Sequence, residues 1–99
     1  MAITILSKYE PNNFDLASQI ITKISEAKVI LLSDALYFAL DERYKEPIEK
    51  MRKMGVIFYS LESDFAKRDL GNAPESVKIV NYEELVKILI ENGRNTINL

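Results

Sequence analysis

Apolar residues in this chain fall into two patterns, short continuous runs and longer stretches with helical spacing. The first run, Ala2-Ile-Thr-Ile-Leu6, predicts a strand, and a turn from Ser7 to Asn13 follows. Ala17, Ile20, Ile21 and Ile24 then recur at i, i+3, i+4 and i+7, one buried stripe of a helix. Asn12 or Asn13 is placed to cap that helix, with Asp15 in its first turn. Val29-Ile-Leu-Leu32 is a second run without alternation, as expected of a parallel-sheet strand covered on both faces. A short helix is expected over 35–40 and another over 45–54. Pro47 falls in the first turn of the latter, where its missing N–H costs nothing, and Ile48, Met51 and Met54 would face inward.

Gly55 stands where a left-handed helix cap is wanted, and Val56–Tyr59 is a third strand. A short helix over Leu61–Leu70 would bury Leu61, Phe65 and Leu70 and end at Gly71. Val77–Val80 is a fourth strand. Asn81-Tyr-Glu-Glu84 spells a capping box for a last helix that runs to Glu91, packs Tyr82, Leu85, Val86 and Leu89, and stops at Gly93. Strands alternating with crossover helices imply an α/β fold. The expectation is one domain over residues 1–99, three layers deep, with a four-stranded parallel sheet and helices on both faces.

Composition narrows the chemistry. Among 99 residues there is no cysteine and no histidine. That removes the commonest general acid/base and the strongest neutral-pH nucleophile. The expectation is a binding or assembly module that is not an enzyme. The three glycines are isolated and follow helices, so neither a dinucleotide fingerprint nor a phosphate loop can be drawn, and no cofactor is expected. No spaced acidic loop suits a hard cation, so no metal is expected either. A net charge of −2 offers no overall attraction to nucleic acid or anionic lipid. No run approaches the length of a membrane span, and a soluble cytoplasmic protein is expected. A domain this small gains from further burial, which makes self-association a reasonable expectation.

In parallel sheets ligands sit outside the carboxyl ends of the strands. Here those ends are Ser7-Lys8, Ser33-Asp34, Ser60 to Glu62 and Asn81. Ser33 and Asp34 are the best-placed pair: Asp34 can accept a proton or orient a hydroxyl, with Ser33 as donor. Alternatively, one of them caps the following helix. Asp34 and Glu62 are either a carboxylate pair at the sheet edge or two solvated acids. The basic stretch Arg43, Lys45, Lys50, Arg52 and Lys53 is interleaved with Glu42, Glu46 and Glu49, which suits a solvated helix face better than an RNA contact. Tyr37 and Phe38 are adjacent, as are Ile88, Leu89 and Ile90. Neighbours on a helix point about 100° apart, so each group is either a wide buried stripe or part of a protein–protein surface.

Three stretches together resemble the DsrH/TusB family of the DsrE-like superfamily. They are Leu31-Leu-Ser-Asp-Ala35 with Leu36 to Leu40, then Ile57 to Gly71, then Val77-Lys-Ile-Val-Asn-Tyr-Glu-Glu-Leu-Val86. They are similar to that family's apolar strand closing in Asp-Gly, its Tyr-x-Leu-x-x-Asp-hydrophobic-x-x-Arg-Gly-like segment, and its strand-Asp-Tyr-x-x-hydrophobic-Val ending. The resemblance implies a DsrE-like, flavodoxin-like topology. It also implies a small subunit of a cytoplasmic sulfur-relay complex of the DsrEFH or TusBCD kind, serving tRNA wobble-uridine 2-thiolation or sulfur oxidation. Partners would be cysteine-bearing DsrE/TusD-like and DsrF/TusC-like subunits, with no direct nucleic-acid or membrane contact. Some members carry a cysteine in the first helix, near Ser18-Gln19 here. Without one, this chain cannot hold sulfur covalently. Ala35 stands where a glycine is usual, and the tail lacks the family's terminal tryptophan. On this reading Tyr37, Phe38 and Leu40 form the partner interface, and Ser33, Asp34, Ser60 and Glu62 form a rim near a partner's cysteine. The alternative is a standalone homo-oligomer binding a small ligand near Ser33 and Asp34.

Overall fold

The structure, a computed structural model, describes residues 2–24, 26–91 and 95–99. Strands β1 (Ala2–Leu6), β2 (Ala27–Leu31), β3 (Ile57–Leu61), β4 (Val77–Val80) and β5 (Thr96–Asn98) form one sheet in the order β4-β3-β2-β1-β5. Every pairing is parallel, with Leu6 beside Leu31, Tyr59 beside Lys78 and Ile5 beside Asn98. Four strands appear where the apolar runs predict them. The fifth is an addition: the tail docks as an edge strand on β1, with the Leu99 N–H donating to the Ile5 carbonyl at 2.9 Å.

The helices are α1 (Pro11–Ile21), α2 (Tyr37–Leu40, preceded by a 3₁₀ turn over Ser33–Leu36), α3 (Lys45–Lys53), α4 (Glu62–Lys67) and α5 (Tyr82–Glu91). From β1 to β4 each strand is laid beside the previous one in a single direction, without the early reversal of the flavodoxin order. Right-handed crossovers then put every intervening helix on the same face. That face holds the larger core, where Phe14, Ala17 and Ile21 of α1, Ile48 and Met51 of α3 and Phe65 of α4 pack on Leu6, Val29, Leu31 and Phe58. Only the return to β5 crosses the other face, where Leu85 of α5 meets Ile3, Ile30, Tyr59 and Val80. Helices cover both faces as expected, but unequally.

Several boundaries moved for identifiable reasons. Helix α1 begins at Pro11, whose fixed φ and missing N–H suit the first helical position; Asn12 and Asn13 therefore lie inside the first turn and Asp15 beyond it, and none of them caps. Gly55 takes φ +95 after α3, the left-handed stop its position predicts, and leaves Met54 outside the helix and exposed. The capping box forms: the Glu84 N–H donates to Asn81 Oδ1 at 2.8 Å, and the Asn81 N–H to Glu84 Oε1 at 3.0 Å. Residues Leu85, Ile88 and Leu89 are the sheet side of α5, so Tyr82 and Val86 are not packed as expected but exposed. The proposed stop at Gly93 lies outside the described residues.

Phe38 also needs correction. It is 0% exposed and sits at the hub of an aromatic cluster, 4.8 Å from Tyr9, 4.9 Å from Phe14 and 4.8 Å from Tyr44 between ring centroids. It belongs to this chain's own core and presents nothing to a partner, whereas Tyr37 is half-buried and Leu40 exposed. Phe38→Ala should cost about 3–5 kcal/mol of stability, and Leu40→Ala less than about 1 kcal/mol. Urea unfolding that showed equal losses for the two would contradict this placement.

Candidate functional site

The carboxyl ends of β2 and β3 are joined by one polar network. Ser33 leaves β2 with φ +53, a left-handed conformation that costs a non-glycine residue about 1–2 kcal/mol. Its N–H donates to Asp64 Oδ2 at 2.8 Å, which holds the turn. Arg68, just past the end of α4, reaches back between the two loops. Its Nη2 donates to Asp34 Oδ1 at 2.9 Å and to Ser33 Oγ at 3.3 Å, and its Nη1 to the Asp64 carbonyl at 3.1 Å. The Asp64 carboxylate lies 3.7 Å from the same guanidinium. The hydrogen bond to Asp34 is the main reason that Arg68 holds its proton even more tightly than usual, with Asp64 and Tyr37 adding to it against partial burial. Reaching this partner takes Arg68 out of helical geometry, and Asp69 follows at φ +50, so α4 stops at Lys67 and not at Leu70.

This network answers both open questions about Asp34. It is neither a cap nor one of a carboxylate pair, but the 63% exposed acceptor of an ion pair with Arg68. Ser33 is exposed at the rim and Glu62 is exposed at the start of α4. Ser60, expected on the rim, is instead fully buried, because strand alternation points it with Phe58 into the larger core; its Oγ has no hydrogen-bond partner among the described residues. Ala35, in place of the usual glycine, is fully buried at an ordinary φ, so its methyl group is absorbed by the core. Asp64 and Arg68 were not singled out from the sequence. Their i,i+4 spacing was a signal, and so was their place as the Asp and Arg of the Tyr-x-Leu-x-x-Asp-hydrophobic-x-x-Arg pattern. The glycine that follows in that pattern corresponds here to Asp69, in left-handed backbone that glycine would adopt more easily.

A second network ties the β1–α1 connection to the α2–α3 connection. Asp41 Oδ1 accepts from the Arg43 N–H at 2.9 Å and from Arg43 Nε at 3.1 Å, and its Oδ2 accepts from Arg43 Nη2 at 2.7 Å and from the Tyr9 hydroxyl. Hydrogen bonds from Arg43 and then Tyr9 hold the Asp41 carboxyl well below the ordinary carboxylate range, and the Tyr9 hydroxyl is pushed up chiefly by its bond to Asp41. A cavity of about 350 Å³ opens beside α3, lined by Leu40, Asp41, Lys45, Glu49 and Arg52 with Glu75 opposite. Its charges alternate, and Arg52 is paired with Glu49 at 2.6 Å. Among the described residues no three acidic side chains converge as metal ligands, and no helix is long and apolar enough to cross a membrane.

The arrangement at the strand ends is suited to hold loops in place. Asp64→Ala removes the acceptor that holds the Ser33 turn and should cost about 1–2 kcal/mol. Asp34→Ala removes an exposed ion pair and should cost less than about 1 kcal/mol; thermal melts showing the reverse order would contradict the assignment. Asp41 titrates lower in the folded chain than in the unfolded one, so its contribution is complete above the ordinary value of 3.8 and fades as pH falls toward the folded value. Asp41→Asn should therefore flatten the acid limb of the stability profile. Parallel acid limbs for variant and parent would show that Asp41 is not held this way.

The profile of the "DsrH like protein" family matches residues 6–95. Among solved structures, the ychN protein of E. coli superposes with a TM-score of 0.78 at 17% identity, over 100% of this chain and 99% of that one. A conserved protein of unknown function from Bacteroides thetaiotaomicron gives 0.75 at 12% identity, over 99% and 94%. Tm0979 of Thermotoga maritima gives 0.54 at 20% identity, over 93% and 95%. At such identities the likeness is one of fold. No curated protein matches the sequence. The family profile runs from the last residue of β1 to the approach of β5, spanning both polar networks and the capping box, and the chain belongs to the DsrH-like family.

Proposed function

We propose that this chain is a cytoplasmic, non-catalytic subunit of a sulfur-relay complex of the DsrEFH or TusBCD kind. In that role it would shape the assembly while sulfur travels on cysteines of its partners, toward wobble-uridine 2-thiolation or in sulfur oxidation. The observation that carries this reading is a DsrH-like chain with no cysteine at all. A persulfide is a thiol-borne group, so a chain without thiols contributes surface and geometry to a relay and never a carrier atom. The partners are taken to be DsrE/TusD-like and DsrF/TusC-like chains that bear cysteines.

Within this reading Ser33, Asp34 and Glu62 form the exposed rim that meets a partner near its cysteine, and Tyr37 and Leu40 extend the contact. Ser60 and Phe38 support that rim from beneath. The Arg68 network suits such a role, because a contact surface gains when its loops are already ordered before binding. The rival reading, a homo-oligomer that binds a small ligand through Asp34, is disfavoured by the same network, since Arg68 already occupies that carboxylate at 2.9 Å. Affinity purification of the protein from its own host, followed by native mass spectrometry, tests the proposal. Co-purification with cysteine-bearing chains of the same fold is the expected result. Recovery of this chain alone would overturn it.

A further inference from the structure

The face of the sheet that carries α5 holds another cavity, of about 310 Å³, between the helix and strands β2 to β4. Its floor follows from strand parity. Val29, Phe58 and Val77 point into the larger core, so Lys28, Tyr59 and Lys78 point the opposite way. Tyr59 lies between the two lysines: Lys78 is beside it on β4, and Lys28 stands on β2 beside Ile57, two residues earlier. Neighbouring strands are about 4.8 Å apart, a gap that lysine's flexible four-carbon stem spans. The roof is one stripe of α5, in which Glu84, Lys87, Ile88 and Glu91 recur at i, i+3, i+4 and i+7.

This cavity has a surplus of donors. Lys28, Lys78 and Lys87 make no ion pair among the described residues. Tyr59 is only 6% exposed, and its hydroxyl has no hydrogen-bond partner among the described residues, although a buried phenol usually finds one. Burial, and after it the charge of Glu91, raises the Tyr59 pKa, so its hydroxyl keeps its proton at neutral pH. Of the two lining carboxylates, Glu84 already accepts the Asn81 N–H at 3.0 Å and sits at the positive end of α5. Glu91 alone remains to set against three ammonium groups.

We propose that this cavity binds a phosphate group, free or carried by a small molecule, with Lys28, Lys78 and Lys87 around it and the Tyr59 hydroxyl donating from the floor. Lysine meets phosphate as a point charge. A phosphate group brings about −1.5 to −2 charge and three strong acceptor oxygens, whereas a carboxylate brings a single charge and two oxygens. Three ammonium groups and a phenol match the larger acceptor. Val80 and Ile88 also line the cavity and offer apolar surface to an attached organic group, and the volume is at the small end for ligand sites. None of these residues belongs to the Ser33–Asp34 rim, so the site stands apart from the relay reading.

Isothermal titration of the purified protein with inorganic phosphate and with glycerol phosphate, at fixed ionic strength, tests this. Dissociation constants of about 1 mM or tighter are expected. Lys28→Met, Lys78→Gln, Lys87→Gln and Tyr59→Phe should each weaken binding by about threefold or more, with unchanged far-UV circular dichroism. Glu91→Gln removes the opposing charge and should tighten it. Lys50→Gln, on α3 across the sheet, should leave it unchanged. Tighter binding of the ester would support a ligand whose organic part rests on Val80 and Ile88, and equal affinities would support free phosphate. Failure of both probes to bind overturns the proposal, as does binding that the cavity variants leave untouched. Capture of a short RNA through the same lysines, with neither probe bound, overturns it too.

Discussion

Right-handed crossover is the constraint on which this molecule depends. Strands β1 to β4 are added in one direction, so α1, α2, α3 and α4 all accumulate on one side, and the sheet is closed on the other by a single returning helix. The thick side holds nearly all the aromatic packing, with Phe38 at its centre. The thin side holds a smaller cluster beneath α5 and leaves apolar residues in solvent. The two faces of the sheet thus carry cores of unequal size.

The same winding gathers three loops at the carboxyl end of the sheet, where this chain spends its charged side chains on order. Arg68 fastens the loop after β2 to the unit after β3, and Asp41 fastens the loop after β1 to the start of α3 through Tyr9 and Arg43. Arg43 makes several hydrogen bonds to the one carboxylate of Asp41, and Arg68 spreads its three over the Asp34 carboxylate, the Ser33 hydroxyl and the Asp64 carbonyl. What results is a preformed rim in which Asp34, Asp41 and Asp64 are already hydrogen-bonded. The left-handed turn at Ser33 is strain stored at this rim and offset by the Asp64 hydrogen bond.

Most of the architecture could be read from the pattern of apolar residues, because four strands are unbroken runs and the longer helices carry clear stripes. The capping box at Asn81 was legible too, since its partners are three residues apart. Features set by distant partners were not. Strand β5 is only Thr96-Ile-Asn98, too short and polar to stand out, and exists by pairing with β1 at the opposite end of the chain. Phe38 read as surface beside Tyr37 because nothing local shows that Tyr9, Phe14 and Tyr44 converge on it. Ser60 read as a strand-end polar group, whereas its burial follows from strand parity, since β3 runs on to Leu61. Asp64 and Arg68 lay in view as an i,i+4 pair, but that they act on Ser33 and Asp34, more than thirty residues away, required the fold. On α5 the run Ile88-Leu-Ile90 did indicate surplus apolar surface, and the structure resolves it into a buried Leu85-centred side and an exposed ridge.

At the centre of this account is a subunit that supplies geometry to a sulfur relay and no carrier atom. The direct measurement is sulfur transfer, followed by ³⁵S label, among the cysteine-bearing partner chains with and without this protein. The account predicts that label never resides on this chain and that transfer between its partners slows markedly when it is left out. Transfer at the same rate in its absence would contradict it.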